Sequence, residues 1–185
     1  MPDVSSQVAA AHLEFIEPII AALPDAKPSG AQRDAAAFAI AHYRDNGWQD
    51  LCDVVQARLD DQKLDPAGRN LDDEDRMILA AIDRAAAEPD WLRRAVKEAE
   101  TEAADQLAAL ILAATWGERE ALAALDEMRD AAQAAGMRGS TAHAFIAMVE
   151  GERGLDTLIA NHPNAQNGLI EATLTALARR ERDAS

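Results

Sequence analysis

Aromatic side chains are scarce in this chain, at 4% of its residues, and there is one cysteine, Cys52. A lone cysteine excludes an internal disulfide and any site built from several thiolates. Lysine is almost as rare: Lys27, Lys63 and Lys97 are three of 18 basic residues, set against 33 acidic ones for a formal net charge of −15. A surface of that sign is repelled by nucleic-acid phosphate and by anionic membranes, so neither is expected as a partner. Long apolar runs are missing too. The best stretch, LAALILAATW from Leu107 to Trp116, falls well short of the ~18 residues a membrane span needs. The opening MPDVSSQVAAAHLEF lacks the basic segment and apolar run of a secretory signal, which gives the expectation of a cytoplasmic protein. The preference for Ala, Arg and Asp matches a GC-rich bacterial genome.

Catalytic and ligand signatures are likewise absent from the sequence. There is no Gly-rich phosphate loop ending in Lys-Ser or Lys-Thr, no His-Asp dipeptide, and no loop of alternating oxygen ligands around a central Gly that would bind calcium. None of His12, His42, His143 and His162 lies four residues from another, the spacing that puts two ligands on one helical face. Glu14 and Glu17 do share a face, but a magnesium-binding pair of this kind needs a second acidic pair on the next helix, and only Asp34 is offered between Arg33 and Arg44. Cys52, on an apolar stripe, reads as a small core residue, because reactive thiols sit exposed near positive groups. No cofactor is expected.

What the chain has in abundance is alanine, the strongest helix former, with few β-branched residues to compete. Its 49% hydrophobic and 28% charged residues are the balance of a folded protein, and its length suits a single domain over 1–185. Apolar residues recur at helical spacing from Val8 to Leu23, with Ser5 or Ser6 as the expected N-cap and Pro18 as a kink or restart. Ser29 and Gln32 have capping-box spacing for a helix to about Arg44, stopped at Asn46-Gly47. The next helix places Trp48, Leu51, Cys52, Val55 and Leu59 on one stripe. The polar passage DDQKLDPAGRNLDDED at 60–75 offers a flexible connection near 60–71, and its last four acids suit a helix start at about Asp72. After Glu88-Pro89 a stripe of Trp91, Ala95, Ala99, Ala103, Leu107, Leu110 and Ala114 is expected to run unbroken. Helices near 118–135, 140–150, 152–160 and 165–182 complete an all-α fold of eight or nine helices. Short links favour antiparallel hairpins, in a solenoid-like stack or a compact orthogonal bundle.

Gly-Glu-Arg occurs at 117–119 and again at 151–153, 34 residues later. Aligned on these triplets, Leu112 matches Ile146, Ala113 matches Ala147 and Leu125 matches Ile159. WGEREALAAL, with Ala121 at a small position and Leu125 at a large one, resembles the inter-helix turn and second helix of a tetratricopeptide repeat over about 105–163. The family's first-helix Trp, Gly and Tyr have no counterparts here. The resemblance implies stacked helical hairpins with a concave groove for a peptide or partner protein. The plainer alternative is a helix stop and restart recurring in an alanine-rich chain.

The function these features favour is a non-enzymatic adaptor, chaperone or accessory subunit that holds another protein with a basic surface, with self-association into a homo-oligomer left open. Asp72, Asp73, Glu74 and Asp75 are the expected contact, because clustered carboxylates steer a basic surface. A solvated helix start explains the same four residues. The rival function is a metal-dependent helical enzyme or sensor with ligands drawn from separate helices, among them Glu14, Glu17, His42 and His143. An acidic mimic of DNA rests on charge alone.

Overall fold

The computed structural model describes residues 4–62, 64 and 68–184. These form α1 (Val4–Ala11), α2 (Leu13–Ala22), a 3-10 turn (Pro24–Ala26), α3 (Gly30–Asp45), α4 (Gln49–Leu59), α5 (Asp73–Ala87), α6 (Pro89–Thr115), α7 (Arg119–Ala134), α8 (Thr141–Val149), α9 (Leu155–Asn161) and α10 (Asn167–Asp183). The fold is all-α, with no strand among the described residues and no helix long and apolar enough to cross a membrane. The tenth helix arises at His12. The first helix ends at Ala11 and a new one starts at Leu13, whereas Pro18, the expected interruption, lies inside α2. Ser6 is buried within α1 rather than capping it.

Contacts divide the chain into two compact units, Met1–Ala99 and Glu100–Ser185, where length alone had suggested one domain. Each unit has its own core. In the first, Phe15, Ile16 and Ile19 of α2 meet Leu51 and Val55 of α4 and Ile78 and Ile82 of α5. In the second, Ile111, Leu125, Phe145, Met148, Leu158 and Ile170 come together from α6 to α10. The connection expected near 60–71 joins α4 to α5 inside the first unit; positions 63 and 65–67 of it lie outside the described residues, and Leu71 is buried. Consecutive helices pack on one another in α2–α3, α3–α4, α7–α8, α8–α9 and α9–α10, and α1 and α2 also pack on α5.

The long α6 supplies both cores, and its buried positions are not one stripe. Trp91 and Ala95 belong to the first core, and Ala108, Ile111 and Ala114 to the second. Between them Ala99 is half-buried and Ala103 exposed, while Ala104 is buried. Ala95 and Ala104 are nine positions apart, two and a half helical turns, so the stripe expected through Ala99 and Ala103 does not carry on into the second set.

The two Gly-Glu-Arg segments share a backbone event and then diverge. Gly117 and Gly151 both take positive φ, and Glu118 N–H donates to Ala113 O at 3.1 Å as Glu152 N–H does to Ala147 O at 2.9 Å. This is the six-to-one closure of a Schellman stop. It recurs at Gly47, where Trp48 N–H donates to Tyr43 O, and at Gly136, where Met137 N–H donates to Ala132 O, without any Gly-Glu-Arg. After the stop, α7 restarts two residues beyond Gly117, but α9 restarts four beyond Gly151. Leu125 is therefore buried while its sequence counterpart Ile159 is only half-buried, the buried position being Leu158. Arg153 donates to Met148 O and pairs with Glu181 of α10.

The α7–α8 and α9–α10 links are pinned together. Asn164 N–H donates to Gly139 O at 3.1 Å, Asn164 Nδ2 to Arg138 O at 2.7 Å, and Gln166 N–H to Thr141 Oγ1 at 2.9 Å. Gly139 has φ +63, and a Cβ there would lie 3.1 Å from Pro163 Cδ. Gly139→Ala should cost about 1–2 kcal/mol, combining left-handed strain with the contact on Pro163. Gly168→Ala, in α10 with nothing within 4 Å of its new Cβ, should instead stabilise by about 0.5–1 kcal/mol. Urea unfolding of the two variants checks the opposite signs.

Candidate functional site

The break at His12 places an imidazole between three helices. His12 Nδ1 lies 2.7 Å from the Tyr43 hydroxyl on α3, and Nε2 lies 3.1 Å from Glu74 Oε1 on α5. Burial pushes the Tyr43 phenol above its ordinary value, and Glu14, Glu74 and Cys52 add to the effect. The phenol stays protonated; when it donates to Nδ1, the ring proton sits on Nε2 and points at the Glu74 carboxylate. Phe15 stacks on Tyr43 with centroids 4.1 Å apart, and the Trp48 ring meets the His12 edge at 5.3 Å. A donor chain running from phenol through imidazole to carboxylate has the connectivity of a nucleophile with its base and orienting acid. Tyr43 and His12 are not among the residues lining three cavities of about 840, 760 and 560 Å³. The chain of bonds holds Glu74 in position.

Glu74 stands at the edge of a cavity of about 560 Å³ between the α3–α4 turn and the start of α5. Its carboxylates come from Asp50, Asp72, Glu74 and Asp75, and its amides from Asn46, Gln49 and Asn70. Trp48 supplies the aromatic wall. Of the four acids expected from sequence to meet a partner, the structure thus brings Asp72, Glu74 and Asp75 together. Asp73 is apart from them, 94% exposed and paired with Arg76 of its own helix at 3.0 Å.

Two of the acids also build the helix. Asp72 accepts from Asp75 N–H at 2.8 Å, and Asp75 accepts from Asp72 N–H at 3.0 Å, a reciprocal capping box. Asp75 is buried, and burial raises its pKa; the backbone bond from Asp72 opposes that, while the charges of Asp72, Asp50 and Glu74 reinforce it. Neighbouring carboxylates that raise affinity for a proton also favour any other cation that reaches them. Asp50 is partly compensated by Arg69 at 3.4 Å, and Arg69 also holds Asp53 at 2.9 Å.

The residues considered for a metal site do not converge. Glu14 and Glu17 are exposed on α2, and His42 is exposed on α3 with its ring edge toward Tyr43. His143 belongs to the second unit, where its Nδ1 lies 3.0 Å from Ser140 Oγ. Among the described residues no group of three or more His, Cys, Asp or Glu side chains is arranged to hold a metal ion. His162 ends α9 half-buried, and burial followed by the proximity of His143 lowers its pKa. Of the three tryptophans, Trp91 is buried, Trp116 is 65% exposed and Trp48 lines the cavity.

Sequence reading passed over Tyr43 and Asp50, which complete the site. The available signal was weak: Tyr43 is the chain's one tyrosine and directly follows His42 near the helix stop. Cys52 is buried as expected, with its thiol donating to Ile40 O at 3.4 Å, and burial pushes its pKa up to about 11.

The raised phenol and thiol set a pH window. Both groups are neutral in the folded state, so their contribution is complete below their ordinary values of 9.0 for Cys52 and 10.0 for Tyr43. For Cys52 it is lost as pH rises from 9.0 toward about 11. Stability measured by urea between these values should fall, and Cys52→Ala should flatten part of that slope. Tyr43→Phe should lower stability at neutral pH by about 1–2 kcal/mol, because it leaves His12 Nδ1 buried without its donor. No protein-family model matches this chain, and no curated protein or solved structure showed significant similarity to it.

Proposed function

We propose that this chain is a non-enzymatic accessory protein that holds a partner protein, and that a basic side chain of the partner enters the carboxylate-lined cavity of the first unit. The single observation carrying the reading is the convergence of Asp50, Asp72, Glu74 and Asp75 around one cavity walled by Trp48. An ammonium or guanidinium group there meets several carboxylates and the face of an indole, both of which attract cations. The amides of Asn46, Gln49 and Asn70 can accept its remaining hydrogen bonds. The net charge of −15 adds long-range steering, which accelerates encounter with a basic surface at low salt. The tetratricopeptide-like turn around Gly117 is compatible with such a role and is not needed for it.

The test is carboxylate-to-amine crosslinking of the native protein at low salt, followed by mapping of the crosslinked peptides. The expected result is one recurring protein whose lysines couple to Asp50, Asp72 or Glu74. The paired substitution Asp50→Asn with Glu74→Gln should weaken that complex at least about tenfold, or about 1.4 kcal/mol. Raising the salt should weaken the unsubstituted complex in the same direction. A solitary chain at low salt, or a complex indifferent to the paired substitution, contradicts the proposal.

A further inference from the structure

A second depression in the first unit has a different chemistry. About 840 Å³ in volume, it lies between the end of α2, the 3-10 turn, α5 and the start of α6. Ile20, Leu23, Ala86 and Leu92 give it an apolar floor, and Ile20, Leu23 and Leu92 are half-buried, leaving apolar surface open to solvent. Acids stand around that floor. Glu17, Asp25 and Asp61 are exposed at its edge, and none of them has an ion pair among the described residues. Arg58, the one cation among the described residues of the lining, is committed to Asp83 through two bonds, at 2.7 and 3.3 Å.

We propose that this groove docks an amphipathic helix of a partner protein whose apolar stripe is flanked by lysine or arginine. The occupant follows from three features. An apolar floor selects an apolar face. Exposed carboxylates at the edge select positive flanks, because an uncharged or acidic segment would partly desolvate them without a counter-charge. The elements around the groove are helices and a 3-10 turn, whose backbone groups are largely bonded internally and offer an incoming chain no strand edge. The incoming backbone must therefore satisfy itself, as a helix does. The inference rests on the reading of this chain as one that holds a basic partner, and it adds a second contact of stated chemistry.

The probe is a synthetic peptide of about four helical turns made of leucine and lysine, with leucine at helical spacing. A second peptide of the same composition has the order scrambled so that no face is apolar. Titration into the full-length protein, followed by calorimetry, should show the ordered peptide binding at least about tenfold more tightly than its scrambled isomer. Ala86→Trp, which fills the groove from an exposed position, should abolish that preference. Asp25→Lys should weaken the ordered peptide, and Glu74→Gln, in the other cavity, should weaken both isomers alike and leave the preference between them as it was. Circular dichroism checks that each variant keeps its helix content. Equal affinity for the two isomers, or a preference that survives Ala86→Trp, overturns the groove proposal. A preference abolished by Glu74→Gln and kept by Ala86→Trp overturns it while leaving the carboxylate cavity in place as the basic contact. A crosslinking experiment that finds a solitary chain removes the parent reading whatever the peptides do.

Discussion

The first unit is organised around one buried imidazole. His12 stands at the junction of α1 and α2, its N–H bonded to Val8 O and its carbonyl accepting from Ile16 N–H, and its side chain reaches α3 through Tyr43 and α5 through Glu74. A histidine removed from water costs free energy unless both ring nitrogens are bonded, and here both are. The bonds are 31 and 62 residues apart in sequence, so they form only once three helices are in place. Among the described residues, every aromatic ring contact involves His12 or Tyr43, including the stacking of Phe15. Three of the seven Phe, Trp and Tyr residues of the chain, Phe15, Tyr43 and Trp48, gather around this polar group.

Alanine makes up more than a third of the two cores, and that shapes the architecture. Ala36, Ala39, Ala81 and Ala85 are buried in the first unit, and Ala108, Ala114, Ala121 and Ala144 in the second. Alanine lets helices approach closely but removes little apolar area from water, so each contact stabilises modestly. Each of the two cores combines such alanines with larger residues, among them Phe15 and Ile78 in the first and Phe145 and Met148 in the second. Ion pairs lie mostly at the surface, where a pair adds little, and the Arg58–Asp83 fork between α4 and α5 has the better geometry.

Features encoded over a few residues were legible in the sequence. The Ser29–Gln32 capping box, the Asn46-Gly47 stop and the start of α5 at Asp73 are decided by local backbone bonding, and all three appear as the spacing predicts. The second Gly-Glu-Arg shows where local reading ends. Its stop repeats that at Gly117, yet the restart of α9 depends on Glu152, whose carboxylate accepts from the N–H groups of Arg153 and Gly154 and delays the next helix. The α6 stripe failed for a different reason. Alanines recur so often that several stripes can be drawn, and only the partner helices choose among them. At the candidate site the acidic segment was visible, but Asp50 and Tyr43 reach it from helices whose approach no short spacing encodes.

The phase change in α6 has a consequence for how this chain tolerates changes of length. Trp91 and Ala95 on one side of the change, and Ala108, Ile111 and Ala114 on the other, each keep their internal spacing whatever number of residues separates them. An insertion within either set would turn buried alanines toward water and charged neighbours inward. An insertion between Ala99 and Ala103 leaves both sets intact, since the positions there are committed to neither core. The middle of the longest helix is therefore a place where a residue can be gained or lost without disturbing the spacing within either core, although it carries no loop, no glycine and no proline.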